Sequence, residues 1–207
     1  KILELKWDEI KWKRIIIQWA WNAWLTMALL LVNKWALIIW ISDSAGAIYD
    51  DKWINIWEIV KIKKKRDSVI NYKNAKLVWD KEILEMECDI LIPAALENQI
   101  TGDNAKKIKA KYILELANGP VTADADKILH EAWIPVIPDI LANAWGVMVS
   151  YFEQVQNNTN FYWEAEEVDE KLHKKITKAA CDVYDTAKEY DTYLRSAAYI
   201  IAMKRVF

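Results

Sequence analysis

Short apolar segments alternate with stretches of helical periodicity along most of the chain. Five segments rich in β-branched residues are predicted to be strands; they are residues 14–18, 37–42, 88–92, 112–117 and 134–137. Helices are predicted between them, at residues 22–33, 79–85, 103–107 (capped by Asp103) and 122–131. Strands separated by helices predict a mostly parallel, doubly wound, Rossmann-like α/β sheet with helices on both faces.

The remaining segments favour helices and solvated surface. After residue 138 the pattern is helical to the end, with an acidic helix start at residues 164–170. The basic run 61–66 is interpreted as a solvated helix face. The apolar run 28–32 ends at Asn33 and Lys34, well short of the roughly 20 residues of a membrane span. We therefore expect a Rossmann-like domain over 1–207 with a helical part at 151–207, and no membrane partner.

The turn after the first predicted strand has the spacing of a dinucleotide-binding motif without its residues. Trp19, Trp21 and Trp24 stand at the three glycine positions of G-x-G-x-x-G, between a buried strand and a helix. In that motif the glycines allow the tight turn, the approach of the pyrophosphate to the backbone, and close packing of helix on strand. Tryptophan, the largest side chain, is the worst replacement for all three. The spacing indicates a nucleotide site that the residues would block.

The composition indicates that tryptophan stands in place of glycine along the whole chain. The 207 residues include 4 Gly and 13 Trp, whereas an average glycine usage of about 7% would give roughly 14 glycines. A net charge of −2 with 28% charged residues gives no indication of a nucleic-acid partner. Cys88 and Cys181 form no disulfide framework, which favours a reducing cytoplasm. The two histidines have no partner at metal-ligand spacing, so no metal site is predicted.

Five strings in the predicted loops, taken in order, carry a family resemblance. They are SDSAG at 42–46, PAALENQIT at 93–101, ANGP at 117–120, IPDILANA at 137–144 and VSYFE at 149–153. With them the whole chain resembles the cofactor-binding half of the glutamate dehydrogenases, of the glutamate/leucine/phenylalanine/valine dehydrogenase family. The resemblance implies NAD(P)-dependent oxidative deamination of L-glutamate to 2-oxoglutarate and ammonia.

The same resemblance implies what this chain lacks. In the family the catalytic lysine and aspartate, and most oligomer contacts, lie in an N-terminal domain. We therefore expect the chain, which begins at Lys1, to be a fragment that is inactive alone. The full-length protein is expected to be a cytoplasmic homohexamer. No residue of the chain is assigned as acid, base or nucleophile.

The resemblance also implies binding residues. Those for the cofactor are Trp19, Trp21, Asn22, Ala23, Trp24, Asp43, Ser44, Ala94, Ala95, Asn98 and Asn118, and those for the substrate are Asn143 and Ser150. Asp43 is placed to accept hydrogen bonds from the adenosine ribose, which favours NAD while leaving NADP possible; its alternative is a turn or N-cap role. The alternatives are a turn role for Asn118, and capping or local backbone bonding for Asn143 and Ser150.

Most of the tryptophans fall where the family typically has glycine. These positions are 12, 19, 21, 24, 35, 53, 133 and 145, and often 40. Trp163, and with it Trp7, is assigned to the family's own tryptophans, and Trp57 and Trp79 are unassigned. One hypothesis is that UGA codons, read as glycine in some bacterial lineages, are rendered here as tryptophan. The alternative is that the tryptophans are real. The chain is then a non-catalytic Rossmann-like interaction or scaffold domain whose cleft is blocked by Trp19, Trp21 and Trp24.

Overall fold

A computed structural model of the chain describes residues 1–18, 22–78 and 80–207, with backbone alone at residues 22–24 and 80–82. The described residues form two compact units. The larger unit comprises Glu9–Val136, and the second comprises Lys1–Asp8 together with Ile137–Phe207. The helical part predicted at 151–207 lies within the second unit.

The described residues contain a sheet of seven strands. They are β1 (Arg14–Gln18), β2 (Leu37–Asp43), β3 (Gly46–Tyr49), β4 (Lys76–Val78), β5 (Ile90–Pro93), β6 (Tyr112–Leu114) and β7 (Val136–Ile137). Their order across the sheet is β4-β3-β2-β1-β5-β6-β7. Parallel pairing joins β2 to β1, β1 to β5 and β5 to β6. The predicted mostly parallel, Rossmann-like α/β sheet is confirmed.

Two antiparallel strands were not among the five predicted from sequence. β3 returns along β2 after a two-residue connection, Ser44-Ala45, and β4 pairs with β3. Gly46 opens β3 with φ 149°, and a Cβ there would lie 3.1 Å from Cγ2 of Ile70. Since β3 and β4 have only four and three residues, neither is long enough for a clear alternation of apolar and polar positions.

The core of the larger unit is built on β1 and β2. Ile15, Ile16 and Ile17 of β1 are fully buried, as are Ile38 and Ile39 of β2. Strands buried on both faces read as continuous apolar runs, which is why the sequence pattern located them well. Each fully buried isoleucine contributes roughly 1.5–3 kcal/mol of transfer free energy. The two buried strands thereby hold in position the edge of the sheet at which they end.

Three α-helices and three 3₁₀ turns complete the described part of the larger unit. The helices are α2 (Asn22–Asn33), α3 (Ile56–Lys64) and α4 (Ala123–Glu131), and the turns are Val69–Asn71, Asp80–Glu85 and Ala105–Lys107. The helix predicted at 103–107 is wrong: the segment is a 3₁₀ turn that follows Asn104, without a side-chain cap by Asp103. Three residues bury too little surface to extend this turn into an α-helix.

The second unit is helical. Its helices are α1 (Ile2–Leu5), α5 (Asp139–Ala142), α6 (Trp145–Thr159), α7 (Ala165–Glu189) and α8 (Leu194–Val206). Glu166 and Glu167 lie in the first turn of α7, where the predicted acidic helix start places them and where negative charge is favourable. Among the helices that the structure describes, none combines the length and the apolar character needed to cross a bilayer.

Candidate functional site

Four parallel strands end at the same edge of the sheet. Gln18 ends β1, Asp43 ends β2, Pro93 ends β5 and Leu114 ends β6. β1 lies between β2 and β5 in the sheet, so the chain winds away from β1 in both directions. In open α/β sheets, ligands bind outside the carboxyl ends of the strands at this kind of switch point. The carboxyl edge beside β1 is therefore the candidate site.

The strand that leads into the tryptophan-substituted turn ends at this edge. Trp19 and Trp21 are outside the described residues, and so are the side chains of Asn22, Ala23 and Trp24. The flanking backbone is described: β1 ends at Gln18 and α2 begins at Asn22. The strand and the helix that the motif requires on either side are thus both present, and their bounds match the sequence prediction.

Asp43 has its carboxylate turned into the protein. Oδ1 accepts hydrogen bonds from the Ala45 N–H at 3.0 Å and the Ser68 hydroxyl at 2.9 Å. Oδ2 accepts from Lys63 Nζ at 2.9 Å and the Val69 N–H at 3.0 Å. A carboxylate offers about four lone-pair positions, so all of them have a protein donor. This arrangement is the turn role that the sequence left as the alternative to ribose binding.

Lys63 is the functional neighbour that the sequence prediction missed. It belongs to the basic run 61–66, which was interpreted as a solvated helix face, yet its side chain is only 24% exposed and pairs with Asp43. Burial raises the pKa of Asp43, but hydrogen bonds from Lys63, Val69, Ala45 and Ser68 outweigh it, so the pKa lies below its usual value. No sequence pattern links the two residues, because Lys63 and Asp43 are 20 residues apart and lie in different elements.

The loops after β5 and β6 form one hydrogen-bonded structure. The Asn98 N–H donates to the Gly119 carbonyl at 2.9 Å, and the Gln99 N–H donates to the Pro120 carbonyl at 2.8 Å. The Ala117 N–H donates back to the Pro93 carbonyl at 3.1 Å. The structure therefore brings together four of the predicted cofactor residues, with the asparagines exposed and the alanines half-buried: Ala94, Ala95, Asn98 and Asn118. Asp43 and the exposed Ser44 lie on the other side of β1.

Two buried polar residues at this edge were also missed. Gln18 Nε2 donates to Gln99 Oε1 at 2.8 Å, while the buried Gln18 Oε1 has no hydrogen-bond partner. Glu115 is fully buried, and its Oε1 accepts from the Val121 N–H at 3.3 Å, across the loop that carries Asn118. A polar residue that ends or follows an apolar strand was the only sequence signal for either. Both fix the positions of the loops around the candidate site.

The two predicted substrate residues lie in the second unit. The Asn143 N–H donates to the Asp139 carbonyl at the end of α5, and the Asn143 side chain is half-buried. Ser150 is exposed on α6, and its hydroxyl donates to the Gly146 carbonyl at 3.2 Å. For Ser150 this is the local backbone bonding named as its alternative, whereas the Asn143 bond is made by its main chain and does not decide the role of its side chain. Within the described ranges, no group of three His, Cys, Asp or Glu residues is placed to hold a metal ion.

Comparison with known proteins gives one consistent result. The family model for glutamate/leucine/phenylalanine/valine dehydrogenases matches residues 1–207. The chain is 43% identical to the NAD-specific glutamate dehydrogenase of Staphylococcus aureus over 95% of its length and 47% of that protein. It is 40% identical to the cryptic catabolic NAD-specific glutamate dehydrogenase of Bacillus subtilis, covering 96% of this chain and 46% of that one.

A solved structure of low sequence identity supports the fold. The hetero-hexameric glutamate dehydrogenase of Thermus thermophilus superimposes with a TM-score of 0.89 at 23% identity, over 99% of this chain and 48% of that one. The chain spans about half the length of the relatives that it matches.

Proposed function

The chain belongs to the glutamate/leucine/phenylalanine/valine dehydrogenase family, and we propose that it is the cofactor-binding half of an NAD-dependent glutamate dehydrogenase. The full protein oxidatively deaminates L-glutamate to 2-oxoglutarate and ammonia. The observation that carries this proposal is the identity to two NAD-specific glutamate dehydrogenases along 95% and 96% of the chain. No contact among the described residues favours the scaffold alternative.

The residues at the carboxyl edge are proposed to bind and orient the cofactor. NAD, when bound, supplies the hydride acceptor, and the protein holds the cofactor and the substrate in position. The turn 19–24, at the start of α2, is assigned to the pyrophosphate, because a helix N-terminus presents free N–H groups to an anion. The loops with Ala94, Ala95, Asn98 and Asn118 are assigned to the nicotinamide side of the cleft. Their mutual hydrogen bonds would hold these groups at fixed positions.

NAD is proposed as the cofactor in preference to NADP. The relatives quoted above are NAD-specific. Lys63 is an ammonium group beside the proposed ribose side, but it is paired with Asp43 at 2.9 Å. A 2′-phosphate could share the three donors of this ammonium group with Asp43, but it would then lie against the Asp43 carboxylate. Asp43 therefore disfavours NADP by adding a second negative charge beside the cation that a 2′-phosphate would use.

The substrate residues are proposed to act after a local change. The Ser150 hydroxyl, now bonded to the Gly146 carbonyl, would rotate to donate to the distal carboxylate of glutamate. Asn143 would contact the reacting end. The acid and base are assigned to the part of the protein outside this chain, so the chain alone is expected to be inactive.

The full-length protein is proposed to be a cytoplasmic homohexamer. The matched glutamate dehydrogenase is hetero-hexameric, which supports six subunits; the expectation of identical subunits comes from the family resemblance. The free cysteines Cys88 and Cys181 support a reducing compartment.

The substrate assignment is tested with the full polypeptide purified from its natural source. NADH formation is measured with L-glutamate, L-leucine, L-phenylalanine and L-valine as alternative substrates. We expect glutamate to give the highest kcat/KM, and NAD to be preferred over NADP. A higher kcat/KM for any of the other three amino acids would contradict the substrate, and an absence of NADH formation with all four would contradict the enzyme.

A further inference from the structure

Four tryptophans have a backbone conformation that belongs to glycine. Trp7, Trp12, Trp35 and Trp133 have φ angles of 59°, 63°, 65° and 61°. In this left-handed region the Cβ of an L-residue lies too close to the following carbonyl oxygen, and a bulky side chain there is rare. Among the other described non-glycine residues with positive φ, three of four are asparagine or aspartate, which tolerate it; they are Asn98, Asn160 and Asp191, with Arg66 as the fourth.

Three of these tryptophans end α-helices in the same way. After α4, the Trp133 N–H donates to the His130 carbonyl at 3.0 Å, and the Ile134 N–H donates to the Leu129 carbonyl at 2.9 Å. This pair of bonds is the Schellman motif, whose left-handed residue is usually glycine. The motif satisfies helix-end carbonyl groups, and it places Trp133 at the position where glycine is most enriched.

The ends of α1 and α2 repeat this geometry. The Trp7 N–H donates to the Glu4 carbonyl at 3.1 Å, and the N–H of the next residue donates to the Leu3 carbonyl at 2.9 Å. The Trp35 N–H donates to the Val32 carbonyl at 2.9 Å, and the N–H of its successor donates to the Leu31 carbonyl at 3.1 Å. Three helices of different sequence thus share both the motif and the tryptophan.

Trp12 occupies a different structure with the same requirement. The Lys13 N–H donates to the Ile10 carbonyl at 3.2 Å, so Trp12 is the third residue of a four-residue turn that leads into β1. A positive φ at that position is the geometry of a type II turn, which favours glycine.

The indoles of these four residues are mostly exposed, although Trp12 and Trp35 contact each other with ring centroids 6.0 Å apart. Trp7 and Trp133 are 99% and 90% exposed, and Trp35 and Trp12 are 63% and 58% exposed. By contrast, Trp163 packs edge-on against Phe152 at 5.6 Å, with Lys171 Nζ 4.7 Å from its ring centre. Little apolar burial is therefore available to offset the backbone strain of the four. Trp40 adds a separate mismatch, because its Nε1 is buried without a partner.

We infer that the natural protein carries glycine at residues 7, 12, 35 and 133. This proposal places glycine at Trp7, which the resemblance assigned to the family's own tryptophans, while the packing of Trp163 supports tryptophan there. The inference extends to Trp19, Trp21 and Trp24, whose spacing demands glycine for the same steric reason; this extension alone rests on the proposed function. The natural turn after β1 would then be open to a dinucleotide pyrophosphate, and UGA codons rendered as tryptophan would account for the exchanges at these seven residues.

The first test uses the gene and the protein from its natural source. Codons 7, 12, 35 and 133 are expected to be UGA, and the masses of the peptides that contain them are expected to fit glycine. UGG codons, or peptide masses that fit tryptophan at these positions, would overturn the inference. Neither readout depends on enzyme activity, so this result is independent of the proposed function.

The second test compares the full polypeptide that has tryptophan at these positions with its single variants W7G, W12G, W35G and W133G. Each exchange is expected to raise the folding equilibrium constant about 2- to 10-fold, since the relieved strain exceeds the extra chain entropy that glycine loses. W57G is the matched control, because Trp57 is similarly exposed but lies in α3 with helical backbone. A gain from W57G equal to that of the four would overturn the backbone argument.

The extension to the turn is tested by NADH titration. The full polypeptide with W19G/W21G/W24G is expected to bind NADH at least about tenfold more tightly than the polypeptide with tryptophan at these three residues. The reason is that three indoles would occupy the space of the pyrophosphate. Circular dichroism confirms that both proteins are folded. Equal NADH affinity of the two folded proteins would overturn the extension, while the inference for residues 7, 12, 35 and 133 is decided by the tests above.

Discussion

At the residue scale, the candidate site depends on polar side chains that the chain brings together over long sequence distances. Asp43 contacts Lys63, Ser68 and Val69, and Gln18 contacts Gln99 across 81 residues. Sequence patterns located Asp43, because an acidic residue at the end of the second strand has a known role. They did not locate Lys63 or Gln99, since a pattern along one segment carries no information about which other segment packs against it.

Asp43 is expected to stabilise the fold at neutral pH and to lose this effect in acid. The pKa of Asp43 lies below 3.8 in the folded protein, because its hydrogen bonds outweigh burial. Its contribution is therefore complete above the unfolded pKa and is lost as the pH falls through the folded pKa. We expect Asp43→Asn to cost about 1–3 kcal/mol of the free energy of unfolding near neutral pH, and less near pH 3, as measured by urea denaturation.

The exposed Asp103 provides the control for this measurement. Asp103→Asn is expected to change the free energy of unfolding by less than about 0.5 kcal/mol. If Asp43→Asn had an equally small effect at neutral pH, the four hydrogen bonds would contribute nothing to stability.

The two cysteines are expected to differ in reactivity. Burial, and then the nearby Asp89 carboxylate, raise the pKa of Cys88 to about 12, whereas Cys181 is half-buried on α7. Since the thiolate is the reactive form, an alkylating reagent near pH 8 should modify Cys181 and spare Cys88 in the folded protein. Peptide mass spectrometry measures both sites. Modification of Cys88 at the same rate as Cys181, without denaturant, would show that Cys88 is not protected.

At the element scale, prediction succeeded where apolar periodicity was long and failed where it was short. The bounds of β1 and α2 agree with the sequence prediction, because a buried strand and a twelve-residue helix have distinct periods. The hairpin β2–β3 was missed, although Ser44-Ala45-Gly46 is a suitable connection. A two-residue turn is defined by its backbone angles, which the sequence pattern does not show. In the structure, the φ of 149° at Gly46 marks this turn.

Gly46 is expected to be required for this hairpin. Gly46→Ala places a Cβ 3.1 Å from Cγ2 of Ile70 and adds strain at positive φ, for an expected loss of about 1–3 kcal/mol. Gly146→Ala is the matched control, because it lies in α6 with no atom within 4 Å of its new Cβ, and alanine should stabilise that helix by about 0.5–1 kcal/mol. Thermal unfolding of both variants decides the point, and a loss in both would contradict the assigned cause.

At the scale of the whole molecule, the tryptophans connect sequence, fold and function. The chain has a mostly parallel, Rossmann-like sheet and matches the glutamate/leucine/phenylalanine/valine dehydrogenase family. It keeps left-handed helix ends and a type II turn at residues where glycine is strongly preferred over a bulky side chain. The backbone conformation at these residues is thus consistent with glycine, although the sequence has tryptophan there. The sequence alone exposed the exchange but not the reason to include Trp7, which needed its backbone angle.

The most direct measurement is a crystal structure of the protein from its natural source, grown with NAD. We expect electron density without side chains at residues 19, 21 and 24, and the NAD pyrophosphate at the N-terminus of α2 beside the carboxyl end of β1. We also expect the Lys63–Asp43 ion pair to be intact on the ribose side. Indole density that fills this turn, with NAD absent or bound elsewhere, would contradict both the proposed cofactor site and the glycine assignment.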